Sequence, residues 1–329
     1  KCIALLPTGC GGTQAKKETA TVYAMDTVMT LTAYAPDNYP SSTTGSVLEA
    51  AEEEIRRLDK LLSVTDPKSE IYQFNHGDPE ALSESRGLAL RALYYAAITD
   101  GAYDPTVYPL MELWGFYGEN PQVPDGEAIE KARALTGYLN CEVAGDTFTL
   151  PEGFGLDLGG IAKGYTADRI LEISLSRCRA MVISLGGNVA FFGEKPDGSD
   201  WNILIEDPNK DGEYLGTLHF PSGSSAHVVT SGGYERYFEE NGVRYHHILD
   251  PKTGCPAETD LRSVTIIGGN GAMADALSTA LFAMGRDAAI EFWRSSTWDF
   301  DMVLYDGEDL YVTPGLDLDT ERAVKEVTS

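Results

Sequence analysis

The chain has 329 residues, 43% of them hydrophobic and 23% charged, enough to bury the core of about two average domains. Its formal net charge of −26 repels phosphate backbones and anionic headgroups, which argues against nucleic acid or anionic lipid as a partner for the body of the protein. Against that background a cluster of Arg or Lys points to an anionic ligand, while the bulk of the charge also serves solubility.

The amino terminus reads as the end of a bacterial export signal. The apolar stub Lys1-Cys2-Ile3-Ala4-Leu5-Leu6 runs into Pro7-Thr8-Gly9-Cys10-Gly11-Gly12, and a cysteine after a small residue with glycines behind it resembles a lipoprotein processing site. This predicts a lipid on Cys10, a flexible tether over 1–21 and a catalytic domain over 22–329. No apolar run approaches the roughly 20 residues that span a bilayer. Of the five cysteines, Cys141, Cys178 and Cys255 remain after Cys2 and Cys10. An odd, widely spaced set is neither a disulfide framework nor a zinc site, so buried free thiols are expected.

From the tether onward, Val22 to Ala35 alternates as a half-buried strand. Val47 to Leu62 and Leu88 to Thr99 carry apolar residues at helical spacing. A loop at Pro121 to Pro124 precedes a short helix from Gly126 to Leu135, and Phe148 to Leu158 reads as a strand entering a glycine turn. Strands are predicted over 180–185, 201–206, 214–220, 226–230 and 263–267, and helices over 272–284 and 287–294. A hairpin around Asp306-Gly307 closes the chain. Strand pairs mixed with helices predict an α+β fold with a largely antiparallel sheet flanked by helices.

Glycine pairs follow apolar strands at 159–160, 186–187, 232–233 and 268–269. Such pairs let a ligand approach the backbone and offer N–H groups to phosphate; taken singly, each is more often a bulge or tight turn. In DLGGIAKGYTAD (157–168) a lysine, Lys163, stands at the expected helix start, where it neutralises phosphate or simply faces solvent. In ADALSTALFAMG (274–285), Asp275 and Thr279 are four apart, so a helix sets a carboxylate and a hydroxyl side by side. These are hard donors of the kind Mg²⁺ takes, with places left for water and phosphate oxygens; a helix-stabilising Asp and a buried Thr would look the same. In TSGGYERYFEENGVRYHHILDPKTGCPA (230–257), His246 and His247 are adjacent, so an extended chain points only one of them into a site, and a histidine there suits proton transfer.

These three segments, with GAYDPTVYPLMELWGF (101–116) and SVTDPKSEIYQFN (63–75), resemble the FAD:protein FMN transferases, the ApbE-type flavin transferases. The resemblance runs from about Met25 to Gly285. It implies the T-fold-like architecture of that family and a reaction in which the FMN part of FAD is transferred to a threonine hydroxyl of a target flavoprotein, releasing AMP. It implies Mg²⁺ on the main-chain oxygen of Ala162 and the side chains of Asp275 and Thr279. FAD would lie against Met25, Ala102, Tyr103, Asp104, Gly159, Lys163, Tyr165 and Ile248. His247 is the implied base, with Asp275 and Lys163 sharing the catalytic work. Targets would carry Asp-x-x-Ser/Thr-Gly/Ala-Thr, as subunits of membrane redox complexes, and the chain would sit at the extracytoplasmic face of the bacterial membrane. An FAD-binding lipoprotein and an FAD pyrophosphatase are the competing readings. Two positions depart from the family pattern: Asp26 where glycine is frequent, and Thr65 where tyrosine is usual. Asp250-Pro251-Lys252-Thr253-Gly254-Cys255 comes close to the target motif, but a cysteine holds the acceptor place, so no flavin is expected on this chain itself.

Overall fold

The computed structural model describes residues 1–4, 17–35, 42–145, 147–210 and 212–328; Cys10 lies outside them. Among these residues a nine-stranded sheet runs in the order 324–326, 310–312, 300–305, 263–268, 225–231, 188–193, 180–185, 27–34 and 17–24. Every pairing is antiparallel except that of Leu310–Val312 with Val324–Glu326. The helices are α1 (Ser42–Leu62), α2 (Glu70–Asn75), α3 (Arg86–Ile98), α4 (Tyr108–Leu113), α5 (Gly126–Arg133), α6 (Gly159–Ser174), α7 (Gly271–Met284) and α8 (Arg286–Ser295). The α+β expectation holds.

Both faces of the large sheet are covered. In Ala180–Leu185, Ala180 and Val182 face a second sheet built on Trp201–Glu206 and Tyr214–Phe220, while Met181, Ile183 and Leu185 face α1 and α6. The two-residue period of a strand thus explains why this run is apolar apart from the partly exposed Ser184. Helix α7 is apolar nearly all round and buried along most of its length, as a helix between a sheet and other helices must be. It crosses α6 where Gly164 and Gly271 meet: a Cβ on Gly164 would lie 2.0 Å from the Gly271 carbonyl oxygen.

Four expectations are corrected. Val22 to Ala35 is not one strand but the second half of a hairpin, Lys17–Ala24 with Thr27–Tyr34. Its turn, Met25-Asp26, has positive φ at both residues, 49° and 57°, which is the two-residue turn that suits strand twist and favours Gly, Asn or Asp. Asp26 is one of the few non-glycine residues that tolerates this backbone conformation. The strand also begins before the expected tether ends, and Cys2–Ala4 pairs with Trp201–Glu206. Phe148 to Leu158 forms a strand only over Thr147–Thr149. Further on, the Asn75 side chain takes the place of a neighbouring strand, accepting from Leu156 N at 2.7 Å and donating to Leu156 O at 2.8 Å. Cys141 and Cys255 are free but only half-buried, because each sits at the rim of a packed cluster.

Candidate active site

A cleft of about 620 Å³ is walled by the Met25-Asp26 turn, the loops 63–66 and 102–104, the first turn of α6, two residues of α7 and the stretch following strand 225–231. Of the residues singled out from sequence, Met25, Ala102, Tyr103, Asp104, Gly159, Ala162, Lys163, His247, Ile248, Asp275 and Thr279 all line it. Tyr165 does not. It stands two residues beyond Lys163, about 200° round the helix, and packs toward α3, where Arg91 lies 5.9 Å from its ring centre.

Asp275 is almost fully buried, 2% exposed. Its Oδ2 accepts from Gly164 N at 2.8 Å and its Oδ1 from Asn188 Nδ2 at 2.9 Å, with Lys163 Nζ 4.0 Å from Oδ1. Each carboxylate oxygen keeps a further lone pair. The Ala162 carbonyl lies in the first turns of α6 and accepts from Thr166 Oγ1 at 2.7 Å. Thr279 Oγ1 lies 3.5 Å from Ser231 Oγ, which is 2.8 Å from Ser278 Oγ. Among the described residues no group of three or more His, Cys, Asp or Glu side chains forms a metal cage. One carboxylate, one hydroxyl and one carbonyl fit Mg²⁺, which keeps several waters and binds with substrate phosphates.

The charge balance of the cleft points the same way. Its walls carry the carboxylates of Asp26, Asp59, Asp66, Asp104, Asp157, Glu235 and Asp275 against the cations Lys1, Lys60, Lys163 and Arg236. An anion enters such a place only with a cation to offset the field. Several of the carboxylates are engaged inward. Asp104 accepts from Thr106 N, Thr106 Oγ1 and Tyr138 N, and Asp59 accepts from Met25 N at 2.8 Å. Asp157 accepts from Gly159 N and from the Tyr117 hydroxyl, each at 2.6 Å.

The adjacent histidines part as strand alternation requires. His246 Nε2 bonds the Ala257 carbonyl at 3.2 Å, and its ring stands edge-on to Phe282. His247 lines the cleft, and its Nδ1 is 3.1 Å from the Arg236 carbonyl, which also accepts His247 N. A carbonyl only accepts, so Nδ1 carries the hydrogen and the Nε2 lone pair is free to take a proton. Desolvation, reinforced by Lys163, pushes its pKa down to about 3. An unfolded chain takes up this proton near pH 6.5. The stability linked to His247 is therefore full above about 6.5 and is lost as pH falls toward 3. We predict that His247→Gln narrows the gap in melting temperature between about pH 7.5 and pH 4.5; an unchanged gap would show that the ring is not held neutral.

Sequence reasoning missed several groups in the cleft or behind its walls. Glu235 Oε1 is buried with no hydrogen-bond partner among the described residues, and burial raises its pKa. It was hidden because acidic residues are common throughout this chain. Tyr117 and Asn188 were missed because their partners, Asp157 and Asp275, are distant in sequence; Asn188 directly follows a glycine pair, and that was the available signal.

The model of the ApbE family matches residues 25–304. The FAD:protein FMN transferase of Treponema pallidum is 36% identical over 221 residues, 62% of this chain and 60% of that protein. That of Haemophilus influenzae is 30% identical over 272 residues, 78% of each. Among solved structures, the ApbE protein of Thermotoga maritima has a TM-score of 0.79 at 35% identity, covering 94% of this chain and 97% of that one. The flavinyl transferase ApbE of Pseudomonas stutzeri, in its apo form, has 0.77 at 30%, covering 94% and 96%.

Proposed function

The chain belongs to the ApbE family, the family of the FAD:protein FMN transferases, and we propose that this enzyme moves FMN from FAD to a threonine of a target flavoprotein with Mg²⁺ in the cleft. The observation that carries the reading is convergence. Ala162, Asp275, Thr279, Lys163 and His247, whose Nδ1 is held by the Arg236 carbonyl, all line one cleft.

When bound, Mg²⁺ supplies charge neutralisation at the pyrophosphate oxygens, and Ala162, Asp275 and Thr279 would hold it. Lys163 adds a mobile positive charge at the same oxygens. His247 Nε2 accepts the threonine hydroxyl proton as that oxygen bonds to the FMN phosphorus. The bond from this phosphorus to the oxygen of AMP breaks, and AMP leaves. Positioning and electrostatics supply the rate, since the hydroxyl is a weak nucleophile.

Incubation with FAD, Mg²⁺ and a protein bearing Asp-x-x-Ser/Thr-Gly/Ala-Thr is expected to add one FMN to the target and release one AMP. AMP released without any target would make the chain a pyrophosphatase, and FAD recovered intact would make it a binding protein. We further propose a lipid on Cys10 and a place on the extracytoplasmic face of the membrane, near membrane redox complexes that supply the target. No helix among the described residues is long and apolar enough to cross a membrane. Lipid labelling of the full chain and of Cys10→Ala tests the anchor.

A further inference from the structure

The candidate metal ligands come from two helices, Ala162 from α6 and Asp275 and Thr279 from α7, so the spacing of those helices sets the size of the site. Where they meet, a third residue of α6 takes hold of the start of α7. Asp168 Oδ1 accepts from Gly271 N at 2.7 Å and Oδ2 from Ala272 N at 3.0 Å. Asn270 covers the next two donors, its side chain accepting from Met273 N at 2.8 Å and its carbonyl from Ala274 N at 3.1 Å. The N–H groups of Gly271, Ala272 and Met273, which have no partner within the helix, are thus satisfied, two of them by a neighbouring helix rather than by the residue that precedes it.

His227 braces this contact from the sheet. Its Nε2 is 3.1 Å from Asp168 Oδ1, and the residue is 4% exposed. Its Nδ1 has no partner among the described residues, so the ring places its hydrogen on Nε2 and donates it to Asp168. Gly271 leaves no slack, since a Cβ there would lie 2.3 Å from the Gly164 carbonyl oxygen and 2.7 Å from His227 Nδ1. Sheet, α6 and α7 are locked at one point, a turn away from Asp275.

We propose that Asp168, braced by His227, is a positioning residue that fixes α7 against α6 and thereby fits the site to Mg²⁺ rather than to Ca²⁺. The inference rests on the Mg²⁺ reading above. The physical ground is that Mg²⁺ demands near-ideal octahedral geometry at about 2.0–2.1 Å, whereas Ca²⁺ accepts irregular sites at about 2.3–2.6 Å. A few tenths of an ångström of helix slip spoils the first and not the second. In Asp168→Asn one carboxylate oxygen becomes an NH₂ that faces N–H donors, so the clasp loosens while the side-chain volume is kept.

The test is calorimetric titration of the full chain with Mg²⁺ and with Ca²⁺, in the presence of FAD and without acceptor protein. Asp168→Asn is expected to lose about tenfold or more in Mg²⁺ affinity, the usual effect of removing an outer-shell partner, with Ca²⁺ affinity changed less than threefold. A smaller Mg²⁺ loss, or a parallel fall for both ions, overturns the proposal. Should that variant not fold, His227→Gln decides: it is expected to shift preference toward Ca²⁺ by about threefold, and a parental ratio overturns the proposal. A parent chain that binds no Mg²⁺ with FAD would instead overturn the reading of the site itself.

Discussion

Asp275→Ala is expected to lower flavin transfer by about a thousandfold or more. Loss of the metal's charge stabilisation is worth several kcal/mol, and about 4 kcal/mol corresponds to three powers of ten in rate. The carboxylate is the one charged group in the proposed ligand set, so neither Thr279 nor the Ala162 carbonyl substitutes for it. The same change strands two donors, Gly164 N and Asn188 Nδ2, in a buried place, at about 1–3 kcal/mol each. Activity must therefore be read beside a denaturation curve. Asp275→Asn is not a mild control, because an amide accepts through one atom only and turns its NH₂ toward a donor. The measurement is the transfer rate over a range of Mg²⁺, with chelator-treated parent for comparison. Parental rates in a folded, metal-free Asp275→Ala protein would remove Mg²⁺ from the mechanism.

Much of this site was legible because its chemistry follows local periods. Asp275 and Thr279 share a face through helical spacing alone, and His246 and His247 separate through strand alternation alone. Their neighbourhoods were legible as resemblance, since several short blocks recur in order. What stayed hidden depends on pairings across long stretches of chain. The Asp168 clasp on α7 joins residues 103 and 104 apart, and Asn188 reaches Asp275 across 87. Val22 to Ala35 reads as a single strand because Met25 and Asp26 carry no glycine to announce the turn, and the alternation runs on into the following strand. Tyr165 was assigned to the cleft from its block, and the helix turned it away. Residue type and order thus point to the candidate site, while contacts between distant segments decide which members of each block line the cleft.

Gly164→Ala is expected to do more damage to the fold than any of the changes above. The new Cβ would lie 2.0 Å from the Gly271 carbonyl oxygen, 2.5 Å from the Gly271 carbonyl carbon and 2.8 Å from Asp275 Cβ. The first two are backbone atoms held by α7's own hydrogen bonds, so no side chain can swing aside to relieve them. Ordinary van der Waals contact begins near 3.4 Å, which means that the two helices must separate by more than an ångström. Overpacking of a close-packed core costs about 1–3 kcal/mol and more where backbone must move, so a loss of about 3 kcal/mol or greater is expected in urea unfolding. The separation would also draw the Ala162 carbonyl away from Asp275 and Thr279, so Mg²⁺ affinity should fall in whatever fraction still folds. Gly160→Ala makes a useful contrast, since its Cβ meets the Tyr103 ring at 3.0 Å and Thr279 Oγ1 at 3.6 Å, both on side chains. That variant should lose less stability than Gly164→Ala. Equal stability of the two would mean that the α6–α7 contact is looser than its geometry indicates, and the role given to Asp168 in holding it would fall as well.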